Sequence, residues 1–105
     1  MDIIDATQFT AERAWGSQAL MTMGDYRARL HWTDQPYRWH QNSGEELFVV
    51  LDGIVDMHYA TDEQGAPRVV ELRPGQIALV QAGDRHVAHP RGVPRILVLE
   101  RNGSD

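Results

Sequence analysis

The sequence predicts an all-β fold, a sandwich or a barrel. Two observations carry this. Short runs of alternating or β-branched residues recur along the chain, broken by Gly, Pro and Asp turns every eight to ten residues. No helical period is sustained beyond about a dozen residues. At 105 residues, 42% of them apolar, the chain is expected to be a single globular domain over 1–105, with room for one core.

The elements follow in order. Residues 1–17 read as a short helix or an extension, with Thr7 or Thr10 capping a turn through Ala11–Ala14 and Gly16 ending it. Gln18–Met23 is a strand closed by Gly24-Asp25. Tyr26–Trp32 alternates, with Ala28, Leu30 and Trp32 expected inside and Arg27, Arg29 and His31 on a solvated face. Thr33–Pro36 is a loop and Tyr37–Gln41 a short strand, followed by a turn over Asn42–Gly44. Glu46–Leu51 is rich in β-formers, and Asp52-Gly53 predicts a tight hairpin into Ile54–Ala60. Thr61–Pro67 is a polar loop. Arg68–Leu72 and Gln76–Val80 are strands flanking Pro74-Gly75, and Gln81–Asp84 is a turn. His86–His89 is a short strand, Pro90–Pro94 a loop, Ile96–Glu100 the last strand and 102–105 a frayed tail. Eight or more strands are expected.

Composition excludes several functions. The net charge is −5, and the ten basic residues are all arginine, scattered from Arg13 to Arg101. An acidic surface without a basic cluster predicts no nucleic-acid binding. Without lysine there is no Schiff-base chemistry, and without cysteine no disulfide and no thiolate site. No apolar run reaches membrane-spanning length and the acidic start lacks signal-peptide features, so no membrane association and a cytoplasmic location are expected. Serines 17, 43 and 104 lie in turns or the tail, with no histidine placed beside them for nucleophilic catalysis.

The chemistry concentrates between Tyr37 and Gly53. His40 and Asn42 are two apart and share a strand face; Glu46, Phe48 and Val50 share another. If that second face is interior, Glu46 is a carboxylate at an apolar mouth and needs a cation, a donor or its own proton. His86 is the histidine expected to join it, and imidazole with carboxylate suits Fe, Mn, Ni, Cu or Zn. Parity sends His58 to the surface and His89 to the face opposite His86. Trp32, Phe48, Val50, Met57, Tyr59 and Val98 are expected to fill the interior, with Phe48, Met57 and Tyr59 lining a ligand pocket. Arg38, on the His40 face, is the expected contact for a ligand carboxylate or phosphate.

These residues resemble the motifs of the cupin family over about residues 30–100. Glu46 to Gly53 matches the tail of the first motif, a histidine pair, then Glu, six residues and Gly. Gly75, Gly83 and His86 fall in register with the second. The departures are also clear. The histidine pair reads His40-x-Asn42, the proline of the second motif is Gln81, and its closing asparagine is Pro90. The resemblance implies a jelly-roll double-stranded β-helix, often a homodimer, often with one metal inside. It implies a metal set of His40, Glu46 and His86, with Asn42 offering an amide oxygen, for Fe, Mn, Ni or Zn. Three functions stay open: a metal-dependent enzyme, a non-catalytic module binding a small-molecule ligand, and a dimeric scaffold with a degenerate site.

Overall fold

The computed structural model describes residues 1–60 and 65–104; residues 61–64 of the expected polar loop and Asp105 lie outside that range. A 3-10 turn η1 (Ala6–Gln8) precedes seven strands: β1 (Gly16–Met23), β2 (Tyr26–Trp32), β3 (His40–Gln41), β4 (Glu46–Ala60), β5 (Arg68–Leu72), β6 (Ile77–Val80) and β7 (Arg85–Arg101). The strand order is β1-β2-β7-β4-β5, with β3 on β7 and β6 on β4, all antiparallel. Among the described residues no helix is long and apolar enough to cross a membrane.

Two long bent strands build the barrel. The first half of β4 pairs with β6 and its second half with β5. The second half of β7 pairs with β2, and its first residues pair with β3. Each therefore passes from one sheet into the other, and the two pair with each other along their length. This is an all-β jelly roll, as expected, but two expected turns are absent. Asp52-Gly53 does not reverse the chain, and Pro90–Pro94 is not a loop. The β4–β7 register shifts on both sides of Asp52, where Arg95 replaces the regular partner. Gly and Pro here mark a corner within continuous strands rather than a hairpin, the use glycine and proline find at bulges. Among the described residues the eight or more expected strands therefore become seven.

Gly53 shows why the corner needs glycine. Its φ is 76°, and an added Cβ would lie 2.8 Å from the Pro94 Cα. Asp52 accepts from Arg95 Nη1 at 3.0 Å across the same corner.

The N-terminal helix is also corrected. Residues 11–14 are not helical; the single 3-10 turn lies earlier and is capped by Asp5, whose side chain accepts from the Thr7 amide. Asp5 wins because its carboxylate reaches the amide two residues on. The expected strand 37–41 shrinks to His40–Gln41, although the Tyr37 amide still donates to the Ala88 carbonyl at 3.2 Å. The tail is tied down through residue 104. Asn102 N–H donates to Asp25 O at 2.8 Å, and Arg27 Nη2 donates to Ser104 O at 2.6 Å.

Register defines the interior. Glu46, Phe48 and Val50 of β4 face Glu100, Val98 and Ile96 of β7, and these face Arg27, Arg29 and His31 of β2. The core is Phe48, Val50, Val55, Met57, Leu72, Ala88, Ile96 and Val98, with Trp15 and Ala78 packed against it. The expected faces of β4 hold. On β2 the expectation holds for Leu30, which is fully buried, but His31 is buried as well, Arg27 and Arg29 are drawn onto Glu100, and Trp32, opposite Arg95, is half-buried outside the core. The reason for the arginines is charge pairing, described next.

Candidate functional site

One end of the barrel interior is polar. β3 brings His40 beside His86, its cross-strand partner, with ring centroids 4.3 Å apart. Beyond β3, the Asn42 amide donates to Asp84 O at 2.9 Å and the Gly83 amide to Asn42 O at 2.9 Å. These bonds carry the ladder one residue further and hold Asn42 over the mouth. β4 opens with Glu46, opposite Glu100. His40, His86, Glu46 and Glu100, together with Arg29, His31, Trp15, Tyr37, Phe48, Ala88 and Val98, enclose a half-open cavity of about 180 Å³.

Asn42 organises the cluster. Its Nδ2 donates to Gly44 O at 3.3 Å and to Glu46 Oε2 at 3.4 Å, so its Oδ1 is the atom facing His86. His86 Nε2 lies 2.7 Å from that oxygen and must donate to it. The lone pair of His86 is then on Nδ1, which is buried and has no partner among the described residues. His40 is set the other way. Its Nδ1 lies 3.1 Å from Arg38 O and donates, leaving the Nε2 lone pair available.

Charges behave accordingly. Burial, then the nearby Glu100 charge, pushes Glu46 up from 4.5 to about 7, against the opposing pull of Asn42 and Arg29. Burial, then His40, lowers His86 to about 4, and burial, then Arg29, lowers His31 to about 4. His86 Nε2 and Glu46 Oε2 are 3.8 Å apart, yet with His86 neutral this contact is not an ion pair. The ion pairs of the site belong to Glu100, whose Oε1 accepts from Arg29 Nη2 at 2.8 Å and from Arg27 Nη2 at 3.2 Å. That carboxylate is why two arginines are tolerated on an inward face.

No family model matches the chain, and no curated protein matches it in sequence. Solved structures do. A cupin-2 domain protein from Shewanella frigidimarina superposes with a TM-score of 0.74 at 19% identity, over 88% of this chain and 85% of that one. A cupin superfamily protein from Desulfitobacterium hafniense gives 0.73 at 18%, over 91% and 85%. This is a cupin fold. A hydroquinone 1,2-dioxygenase from Sphingomonas, solved with 4-hydroxybenzoate bound, gives 0.78 at 23%, over 89% of this chain but only 29% of that one. A second hydroquinone 1,2-dioxygenase, in complex with Fe3+, gives 0.78 at 16%.

The cupin fold raises the question of a metal, and the donor set answers it in part. Among the described residues no three His, Asp or Glu side chains gather closely enough to hold one ion. The atom His86 would offer, Nε2, carries a proton and is spent on Asn42. As arranged, Glu46 and His86 are hydrogen-bonded to Asn42, with the His40 ring against that of His86, rather than forming a ready metal cage.

The expected site residues therefore divide. His40, Asn42, Glu46 and His86 meet at the mouth, and Phe48 lines the cavity. Arg38 does not line it; its guanidinium lies 4.9 Å over the Tyr37 ring and donates to Tyr37 Oη at 3.0 Å. Met57 is buried core, and Tyr59, opposite His86 on the ladder, is half-buried outside the cavity walls. His31, expected in solvent, is 8% exposed and lines the cavity. His58 and His89 lie away from the site and stack at 4.2 Å. Sequence reasoning missed Trp15, Arg29, Tyr37 and Glu100. Parity from Val98 reaches Glu100, which was a usable signal. Trp15 gave none: it arrives from the extension at a positive φ of 59° and is held by an Nε1–H bond to Gln35 O at 3.0 Å.

Proposed function

We propose that this protein is a small-molecule-binding cupin whose ligand sits at the barrel mouth, against Trp15 and Tyr37 on one side and the Glu46–Asn42–His86 cluster on the other. The observation that carries this is the cavity itself, half-open, walled by aromatic rings and lined by the His86 imidazole and the Glu46 carboxyl. Glu46, poised near neutral pH, can accept from a ligand or donate to it. Binding without a metal is the simplest use of such a cluster. The test is a titration of uniformly 15N-labelled protein with small polar ring compounds. The Trp15 indole and His86 ring signals are expected to shift together and saturate, and the His86 shift is expected to vanish in Trp15→Ala. A panel that moves neither signal overturns the reading.

A second reading has one observation of its own. The Arg38 carbonyl fixes the His40 tautomer so that Nε2 is free to ligate, the arrangement that outer carbonyls impose on metal-binding histidines. One Fe, Mn, Ni or Zn ion would then be held by His40, Glu46 and His86, with His86 giving up its bond to Asn42. Such an ion would supply Lewis acidity. Elemental analysis decides. About one equivalent per chain in protein purified without a metal-affinity tag, lost in His40→Ala, supports the ion; none after incubation with each metal overturns it.

A homodimer is also proposed. On the outer face, register aligns Leu79, Leu47, Leu99, Ala28 and Met21 in one row, and Ile77, Val49 and Leu97 in the next; Leu30, which continues the second row, is fully buried. Leu79 and Met21 are more than half exposed. An apolar stripe five strands wide spans about 19 Å at 4.8 Å per strand, and an exposed patch of this kind marks an association surface. Light scattering is expected to give twice the chain mass, falling to the chain mass in the Leu47→Glu, Leu79→Glu double variant. A monomeric parent protein refutes it.

A further inference from the structure

We propose that His58 and His89, on the outer face of the barrel, form a site for one divalent transition-metal ion, Cu2+ above all, that bridges β4 and β7. The site is separate from the mouth and does not depend on how the mouth is read.

Placement is the first argument. Val55 and Met57 belong to the core, so parity turns Asp56 and His58 outward on β4. Ala88 belongs to the core on β7, which turns His89 outward in the same way. Register sets His58 opposite Val87 and Asp56 opposite His89, so the two histidines are diagonal neighbours on one face. Their ring centroids are 4.2 Å apart, and the rings are tilted by 44° rather than stacked flat. Two imidazoles bound to one ion at about 2.0–2.1 Å and at a right angle hold their centroids about 4.5 Å apart. The pair therefore stands close to a chelating arrangement before any ion arrives.

Availability is the second. Of the five histidines, three have a ring nitrogen committed: His31 against Trp15 O, His40 against Arg38 O and His86 against Asn42 Oδ1. His58 and His89 make no hydrogen bond or ion pair among the described residues. Both are half-buried, so the rings are restrained and still reachable. The ladder is unbroken beneath them, from Asp56 and His89 to His58 and Val87. A pair held in place by its backbone loses little freedom on binding.

Charge and donor type choose the ion. Arg91 donates to both carboxylate oxygens of Asp56 at 2.8 Å and also pairs with Glu71, which pairs in turn with Arg73. Two carboxylates thus balance two guanidiniums beside the histidines, and no surplus positive charge repels a cation. Imidazole suits Cu, Ni and Zn, and affinity among the divalent ions peaks at Cu2+. No third His, Asp or Glu completes the set among the described residues, so the other positions on the ion are open to solvent or to an exchangeable ligand.

The experiment adds Cu2+ below one equivalent to the tag-free, 15N-labelled full chain. The amide signals of His58, His89, Val69 and Val87 are expected to broaden first, while the Trp15 indole signal persists. By calorimetric titration with Cu2+, His58→Ala and His89→Ala are each expected to bind this ion at least tenfold more weakly than the parent protein, and His40→Ala to bind it equally well. The broadening pattern of the parent protein carries the test if a variant does not fold. Broadening that begins at the Trp15 indole and is lost in His40→Ala places the ion at the mouth and overturns the proposal. Broadening centred anywhere else, no broadening at all, or unchanged affinity in both His58→Ala and His89→Ala overturns it as well.

Discussion

Replacing Glu46 with glutamine is expected to stabilise the protein by about 3 kcal/mol at pH 8 and hardly at all at pH 4. The folded-state value of Glu46 is about 7, raised from 4.5 chiefly by burial and then by Glu100. The folded protein therefore holds a proton between those pH values that the unfolded chain has released. Stability falls as pH rises through that window and stays reduced above it. At about 1.4 kcal/mol per unit, the gap sets the magnitude. His31 and His86 act in the opposite direction. Their folded values are lowered to about 4, so the unfolded chain binds more protons between about 4 and 6.5. What they contribute is complete above 6.5 and is lost as pH falls toward 4. The parent protein thus has opposing slopes that partly cancel below pH 6.5. The glutamine variant keeps only the histidine slope, and its stability should climb steadily from pH 4 to 6.5 and then level off. Urea unfolding at both extremes measures this. An equal change in midpoint at pH 4 and pH 8 would mean that Glu46 is not held protonated by its surroundings.

The same residue shows what the sequence could reveal. Glu46 through Val50 was readable because alternation places Glu46, Phe48 and Val50 on one face, and register to Glu100, Val98 and Ile96 bears that out. The barrel class was readable for the same reason: period-two patterning needs no knowledge of partners. Strand β2 was misread because Arg27, Arg29 and His31 look solvated by type. Only the pairing with Glu100 on the neighbouring strand β7, some seventy residues further along the chain, draws those arginines onto the site face. Pairing across such a distance leaves no local mark. Asp52-Gly53 and Pro90–Pro94 were misread because a corner and a turn ask for the same residues, and only the continuing ladder distinguishes them. Within the site, His40, Asn42 and His86 could be placed by motif spacing. The direction of the hydrogen bond between Asn42 and His86 could not, since it follows from where the Asn42 amide meets the Gly44 carbonyl.

The corner is also where the fold should be most easily broken. Gly53→Ala is expected to cost about 2–5 kcal/mol. A left-handed residue other than glycine costs roughly 1–2 kcal/mol, and Gly53 sits at φ 76°. The new methyl would also stand 2.8 Å from the Pro94 Cα, and that atom is backbone in a residue with almost no exposed surface. Relief must come from moving β4 and β7 apart, an overpacking strain of about 1–3 kcal/mol. Gly75→Ala separates the two causes. Gly75 has φ 91° and no atom within 4 Å of the added Cβ, so that variant carries the conformational cost alone. In a domain of this size each kcal/mol lowers the melting temperature by about 4–8 °C. Gly53→Ala should therefore melt at least 8 °C below the parent protein and clearly below Gly75→Ala; equal losses in the two would dismiss the Pro94 contact. The effect should reach the mouth as well. The register beyond the corner sets Glu46 opposite Glu100 and keeps the start of β4 packed on β7. Prising the two strands apart should therefore loosen the Glu46–Asn42–His86 cluster, and His86 should titrate closer to its ordinary value in Gly53→Ala than in Gly75→Ala.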